Sequence, residues 1–511
     1  MKFIIREPLC RGKNASAKTR EFEWRKRTPQ QRAVQRIPIQ VQLCYNAGRT
    51  TGDGLAESWP DRGRMEEGES PSLLRVLGRW SLTALVINSI IGSGIFGLPS
   101  IAAEYVGRWS PLAYLLAACG AGIIMACFAE VASQFGAAGG PYLYAREAFG
   151  RFIGLEIGWL LLLVRLTAAA AAANLFTNYL AEFWPAVQEP IIRLSVLAVL
   201  IGFLAAANVR GIKSGAAASN VFTVAKLVPL ILFAIAGGVF LLRPHPAIPG
   251  VLQSGTSVPI RNWLEAILVL MFAYGGFEGA VIPMAETKDP QRDAPFALLV
   301  SLVTVTILFC AIQYIVVAVL PSASMTDRPL AAAARQFLGT AGAVLISTGA
   351  LISVCGFLTA QLLLAPRLTF ALGEKGDFPP FFARIHSRFQ TPHISILVFA
   401  AIIWCLSAAG SFTWNVFLSS IGRLFIYGFT CAALPVLRKK YPNRRAYRLP
   451  AGNLFAVLGV FFMVLLATRM NLGEGIFLLI TMAIAFANWL WARNRQKGAA
   501  RSQTESGEEM E

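Results

Sequence analysis

The stretch Asn88-Ser-Ile-Ile-Gly-Ser-Gly-Ile-Phe-Gly-Leu-Pro-Ser100 lies near the centre of the first long apolar segment of the chain. A helix that merely crosses a bilayer has no reason to gather Gly92, Ser93, Gly94, Gly97 and Pro99 in so short a run. In a helix interior each glycine costs about 1 kcal/mol, and proline about 3 kcal/mol, relative to alanine. Backbone groups freed at membrane depth are tolerated only where protein or a water-filled cavity satisfies them. A helix broken at the midplane turns amides and carbonyls toward a ligand, which is how many secondary transporters build their sites. The stretch therefore points to a transporter.

The surrounding chain has the composition such a site needs. Of 511 residues, 55% are hydrophobic and 14% charged, with a mean hydropathy of +0.56; a soluble chain carries about 25% charge. From Ser81 onward it reads as about twelve apolar segments of roughly 20 residues, each able to cross a core of about 30 Å. They cover 81–106, 110–135, 152–183, 190–208, 215–242, 262–287, 295–320, 338–372, 393–409, 412–437, 452–469 and 473–493. The expected fold is an all-α integral membrane protein with about 12 transmembrane helices. The third and eighth segments exceed one straight crossing, so tilt or a helical extension is expected there.

The net charge of +18 follows topology rather than nucleic-acid binding. Basic residues collect in alternate loops, at Arg146 and Arg151, Arg210 and Lys213, Lys288 and Arg292, Lys375, Arg384 and Arg388, and from Arg438 to Arg448. The opposite loops hold only scattered arginines, so both termini are expected in the cytoplasm of a multi-pass protein in the plasma (inner) membrane. Residues 1–70 are polar and Arg-rich, with no apolar core of a signal peptide, and are expected to be a disordered cytoplasmic extension. Met65 is a natural alternative start, and a chain beginning there is expected to insert and transport like the whole. Residues 71–495 form the transporter domain, and 496–511 a polar C-terminal tail.

A site between two repeats requires a second interrupted span five spans later. The sixth segment contains Phe272-Ala-Tyr-Gly-Gly-Phe-Glu-Gly279, followed by Pro283. With five spans between them the two breaks run in opposite directions, as an inverted repeat demands. Glycine in one membrane helix can serve packing alone; matching breaks in both halves carry far more weight.

These motifs also bear a family resemblance. Ile-Ile-Gly-Ser-Gly-Ile-Phe at 90–96, followed by Pro99, resembles the first-helix motif of the amino acid–polyamine–organocation superfamily. Phe272 to Glu278 is similar to its sixth-helix motif, and the likeness continues through Gly139 to Tyr144, Glu286 to Pro295, and Arg367 to Pro379. It implies a LeuT-type 5+5 inverted repeat with discontinuous helices 1 and 6, repeat one about 81–242 and repeat two about 262–437, plus two extra helices at about 452–493. It further implies an amino acid whose carboxylate meets the amides around Gly92, Ser93 and Gly94, at a helix start that suits an anion. Its ammonium meets carbonyls around Ile90, Phe272 and Gly275, with Ile91 and Ala273 beside them and Phe272 as an aromatic gate. Lys226 resembles the fifth-helix lysine that takes the place of a sodium ion in sodium-independent members.

Ionisable side chains inside spans cost at least about 2.5–3.5 kcal/mol and need a reason. Lys226, halfway along the fifth segment, either couples a proton or braces helices 1, 5 and 8. Glu278 either holds the unwound sixth segment or carries a proton. Glu130 reads as a packing and gating residue. Arg165 and Arg423 lie too deep to snorkel. They either pair with Glu278 or Glu130, which is favoured, or one faces the cavity and binds an acidic side chain through its guanidinium fork.

The function expected is secondary active transport of an amino acid by alternating access, coupled to protons as symport. Amino acid or polyamine exchange is the alternative, with a transport-inactive sensor behind it; a polyamine would need several acidic pocket residues. No P-loop supports ATP-driven pumping, and no pairing of nucleophile and base supports an enzyme. Eight cysteines and three histidines show no metal-ligand spacing, so no metal and no cofactor is expected. The loop from Glu182 to Pro190 contains no cysteine, so no disulfide-linked heavy chain is expected.

Overall fold

A computed structural model describes residues 78–135, 139–211, 216–243, 258–281, 287–374, 377–442 and 446–508, with backbone alone at 216–225, 371 and 496–508. They belong to one unit, Pro71–Glu511. The expectations for residues 1–70, the alternative start at Met65, and Pro283 fall outside the described residues. Every described segment of regular structure is helical: α1 (Arg79–Ile90), α2 (Gly94–Val106), α3 (Ser110–Ser133), α4 (Gly140–Phe149), α5 (Arg151–Leu180), α6 (Pro190–Val209), α7 (Ala216–Leu242), α8 (Ile260–Tyr274), α9 (Phe277–Ala280), α10 (Pro290–Val319), α11 (Pro329–Glu374), α12 (His393–Ala409), α13 (Phe412–Lys440), α14 (Gly452–Ala467) and α15 (Leu472–Glu508), with short 3-10 turns between some of them.

Among the described residues eight helical stretches are long and apolar enough to cross a membrane, and three shorter apolar helices accompany them. The chain is thus an all-helical, multi-pass membrane protein. Local chemistry sets the helix starts. Proline opens α6, α10 and α11, where its missing amide costs nothing. Ser411 Oγ accepts from the Trp414 amide at 3.1 Å and caps α13. Arg438, Lys439 and Lys440 close that helix, at the end where positive charge is favoured. α11 is two helices joined at Gly339, whose φ of 65° interrupts it, so the eighth apolar segment begins at this joint.

Burial follows helix position. α5 runs through the middle, and its Ala168–Ala173 run is buried throughout. Such small residues let helix backbones approach closely in the absence of a hydrophobic drive between helices. Gly422 of α13 uses this closeness: a Cβ there would lie 2.7 Å from Val164 Cγ2. Peripheral helices turn large apolar side chains outward instead, as at Val199 and Phe203 of α6, Val457 and Phe461 of α14 and Leu479 of α15. An apolar surface of that extent fits lipid.

Polar groups within the bundle are tied down individually. Tyr179 OH donates to Phe96 O at 2.8 Å, and Tyr274 OH to Tyr114 O at 3.0 Å. Glu130, fully buried on α3, accepts from Arg438 Nε at 2.7 Å and Nη2 at 2.6 Å, and from the Leu449 amide at 2.8 Å. Arg438 also donates to Leu449 O at 2.8 Å, and Ser133 Oγ accepts from the Tyr447 amide at 3.0 Å. The acid thus clamps the end of α13 and the end of the α13–α14 connection onto α3, and neither Arg165 nor Arg423 is its partner. Removing one member of a buried pair leaves an uncompensated charge, at about 3–5 kcal/mol. Arg438→Ala should therefore lower the thermal midpoint of the purified protein markedly. Glu130→Gln, which keeps an acceptor for the Leu449 amide, should lower it less.

Candidate functional site

The first break is a short extended stretch between α1 and α2. Ile91 donates its amide to Ile87 O at 2.9 Å, the last α-helical bond of α1, and then turns extended at ψ 91°. Four carbonyls, from Asn88 to Ile91, are left without a helical donor. Lys226 Nζ of α7 supplies two of the missing bonds, to Asn88 O at 2.6 Å and Ile91 O at 2.7 Å. The Ser89 and Ile90 carbonyls remain outside this clamp. On the other side of the break, the amides of Gly92, Ser93, Gly94 and Ile95 meet no acceptor among the described residues. Ser93 Oγ, buried, also lacks a partner. Unpaired donors at the start of α2 make a cradle for an anion.

The second break lies across from the first. α8 ends at Tyr274 and α9 begins at Phe277, with Gly276 at φ 108° between them. Only glycine takes that conformation cheaply, and a Cβ on Gly276 would also collide with Ser89 O. Here a carboxylate satisfies the backbone. Glu278 Oε2 accepts from the Gly276 amide at 2.7 Å and from Tyr427 OH at 2.8 Å, and Oε1 lies 3.4 Å from Arg423 Nε. Arg423 reaches this position by crossing Gly275, where a Cβ would overlap its Nε. Its Nη1 donates to Ser419 Oγ at 2.7 Å, and its guanidinium lies 5.1 Å from the Phe272 ring centroid, within cation–π range.

Of the residues singled out in the sequence, Ile90, Ile91, Gly92, Ser93 and Gly94 form the first break, and Phe272, Ala273 and Gly275 face it from α8 and its end. A Cβ on Gly94 would lie 3.2 Å from Phe272 Cδ1 and 3.4 Å from Ala273 Cα. Lys226 joins the first break and Glu278 the second. Arg423 pairs with Glu278. Arg165 has no carboxylate at ion-pair distance among the described residues; its Nη1 lies 3.4 Å from Gln361 Oε1. Tyr427, Ser419 and Gln361 escaped the sequence reading. Residues 419, 423 and 427 share one face of α13 at four-residue spacing, a signal that the buried arginine could have prompted.

Exposure shows how the breaks are reached. Gly94–Ala102 of α2 and Ala266–Tyr274 of α8 are buried, apart from small residual exposure at a few positions. Asn88, Ser89, Gly92, Arg165, Gly276, Gly279, Phe357 and Gln361 are all partly exposed. Exposure at the breaks is thus confined to the α1 and α9 side, while the α2 and α8 side is buried.

Comparison with known proteins shows the family. The chain matches the amino acid permease family over residues 77–487 and belongs to it. It is 28% identical over 408 residues to the methylthioribose transporter of Bacillus subtilis, covering 75% of this chain and 86% of that protein. The branched-chain amino acid permease BcaP of Bacillus subtilis is 26% identical over 451 residues, covering 83% and 95%. The serine/threonine exchanger SteT of the same organism is 29% identical over 420 residues, covering 78% and 92%. These proteins are permeases and transporters, not enzymes.

The two breaks generate a prediction. Gly94→Val fills the space between the α2 amides and Phe272, and should abolish amino-acid binding in thermal-shift assays while the protein still inserts. Normal ligand stabilisation in a well-folded Gly94→Val protein would dissociate the α2 amides from the substrate.

Proposed function

We propose that the protein carries amino acids across the plasma membrane by alternating access, with proton-coupled symport. The observation that carries this is the row of unpartnered donors at Gly92–Ile95 and Ser93, set at mid-bundle against a second broken helix. A zwitterion fits both ends of that arrangement. Its carboxylate takes the α2 amides, and its ammonium takes carbonyls left outside the lysine clamp, such as Ile90 O. The exposure on the α1 and α9 side then represents one of two access states. We further propose twelve spans, of which α1–α2 is the first and α8–α9 the sixth, arranged as a LeuT-type five-plus-five repeat with both termini cytoplasmic.

Exchange is the second reading, favoured by the likeness to a serine/threonine exchanger. A polyamine fits poorly, because the one carboxylate at the breaks among the described residues, Glu278, is already engaged by Arg423, Tyr427 and the Gly276 amide. In this reading Lys226 serves as the coupling site. As an ammonium it holds two carbonyls of α1, so its protonation and the geometry of the first break are linked. The binding of a proton would then favour one arrangement of α1 over the other.

Under this reading, uptake into liposomes accelerates as external pH falls, and a proton gradient drives accumulation without sodium. Lys226→Met removes the titrating group at similar bulk and should lose gradient-driven accumulation. If the lysine only braces α1, the variant loses stability and expression, but surviving protein keeps its pH dependence. Proton-driven accumulation by Lys226→Met would overturn the coupling role and leave the transport assignment intact.

A further inference from the structure

The cavity holds an imbalance of charge that its own residues do not correct. Beside the breaks lie two guanidinium groups, Arg165 and Arg423, and a single described carboxylate, Glu278, which Arg423 occupies. Arg165 stands halfway along α5, between the buried runs Leu160–Val164 and Thr167–Ala173, yet it is itself partly exposed. The residues beside its guanidinium, Gly279 and Gln361, are partly exposed as well. Its guanidinium lies against α9, where a Cβ on Gly279 would be 3.6 Å from Nη2. The 3.4 Å contact to the Gln361 amide oxygen is neutral and long, so the fork of donors is left largely unused. Glu278 and Arg423 are both within electrostatic reach of it; these three groups sum to one net positive charge, and the Lys226 ammonium at the first break, held by the Asn88 and Ile91 carbonyls, offsets none of it.

An arginine so placed is costly unless an anion accompanies it. A zwitterionic substrate adds no net charge and leaves the excess standing. A cationic amino acid or polyamine makes it worse. A substrate with a second carboxylate cancels it, and a guanidinium fork is the group that holds a carboxylate by two parallel hydrogen bonds. We infer that Arg165 is a specificity-determining residue that receives the side-chain carboxylate of an acidic amino acid, so that glutamate or aspartate is the preferred cargo. The inference rests on the transport reading above. Arg423 and Glu278 shape the wall beside it, and Gln361 orients the Arg165 fork.

The test uses the full chain in proteoliposomes, with radiolabelled glutamate, aspartate, glutamine, leucine and arginine compared in counterflow. Glutamate and aspartate should be carried in preference to glutamine, and arginine should be excluded. Arg165→Gln should reduce the glutamate-to-glutamine ratio by about 30-fold or more, the loss expected when one partner of a buried charged hydrogen bond is removed. Should that variant fold poorly, Gln361→Glu supplies an internal carboxylate beside Arg165, neutralises it in advance and should lower the same ratio. A wild-type preference for glutamine, leucine or arginine over glutamate overturns this inference and leaves the transport reading standing. A ratio unchanged in Gln361→Glu or in folded Arg165→Gln also overturns it. If no amino acid is carried or stabilises the protein thermally, the transport reading itself fails.

Discussion

Everything at the centre of this protein depends on one constraint: backbone groups released at membrane depth must find partners other than water. α1 releases four carbonyls, and a lysine from α7 caps two of them. At the second break a carboxylate from α9 holds the Gly276 amide and is itself held by Tyr427 and Arg423. Positive charge is thus brought to carbonyls and negative charge to an amide, which is the pairing the free ends of helices favour. The groups left over, the α2 amides and the Ser89 and Ile90 carbonyls, are the ones a ligand can use.

The same economy explains why charged residues inside the bundle differ so much in their surroundings. Glu130 is dry and answered in full by Arg438 and the Leu449 amide. It works as a fixed joint between α3 and the connection after α13. Glu278 and Arg423 are answered by each other, yet their partners belong to two separate stretches of the chain, 272–278 and 419–427, so any movement of α9 against α13 must rearrange them. Among the described residues Lys226 is answered only by carbonyls, whose geometry changes whenever α1 tilts. The resulting gradation runs from rigid clamp to movable contact, and the movable contacts are those beside the cavity.

Much of this was legible in the residues. The broken helices at Gly92–Gly94 and Gly275–Gly276 stand where glycine in apolar segments indicated them, because glycine interrupts a helix at low steric cost. Helix limits at 190–209, 393–409 and 452–467 fall within two residues of the apolar segments, since hydropathy and proline punctuation mark both ends. The pairing of the buried charges was only half legible. Arg423 and Arg165 looked alike in sequence, each a lone arginine in an apolar helix. Four-residue spacing of Ser419, Arg423 and Tyr427 set one of them apart, but nothing local identified Glu278 as its partner or Arg438 as the partner of Glu130.

The sequence by itself determined the membrane character, the helices and their breaks, because these depend on composition and on the backbone preferences of glycine and proline, which act within a few residues. Tertiary structure decided which charge answers which. Arg438 lies 308 residues from Glu130, Arg423 lies 145 from Glu278, and Lys226 lies 138 from Asn88. An ion pair forms wherever packing brings two side chains within a few ångströms in a low-dielectric interior, and that proximity is a property of the folded bundle rather than of any stretch of chain. Arg165, beside Gly279 and without a described carboxylate, owes its position to the same packing.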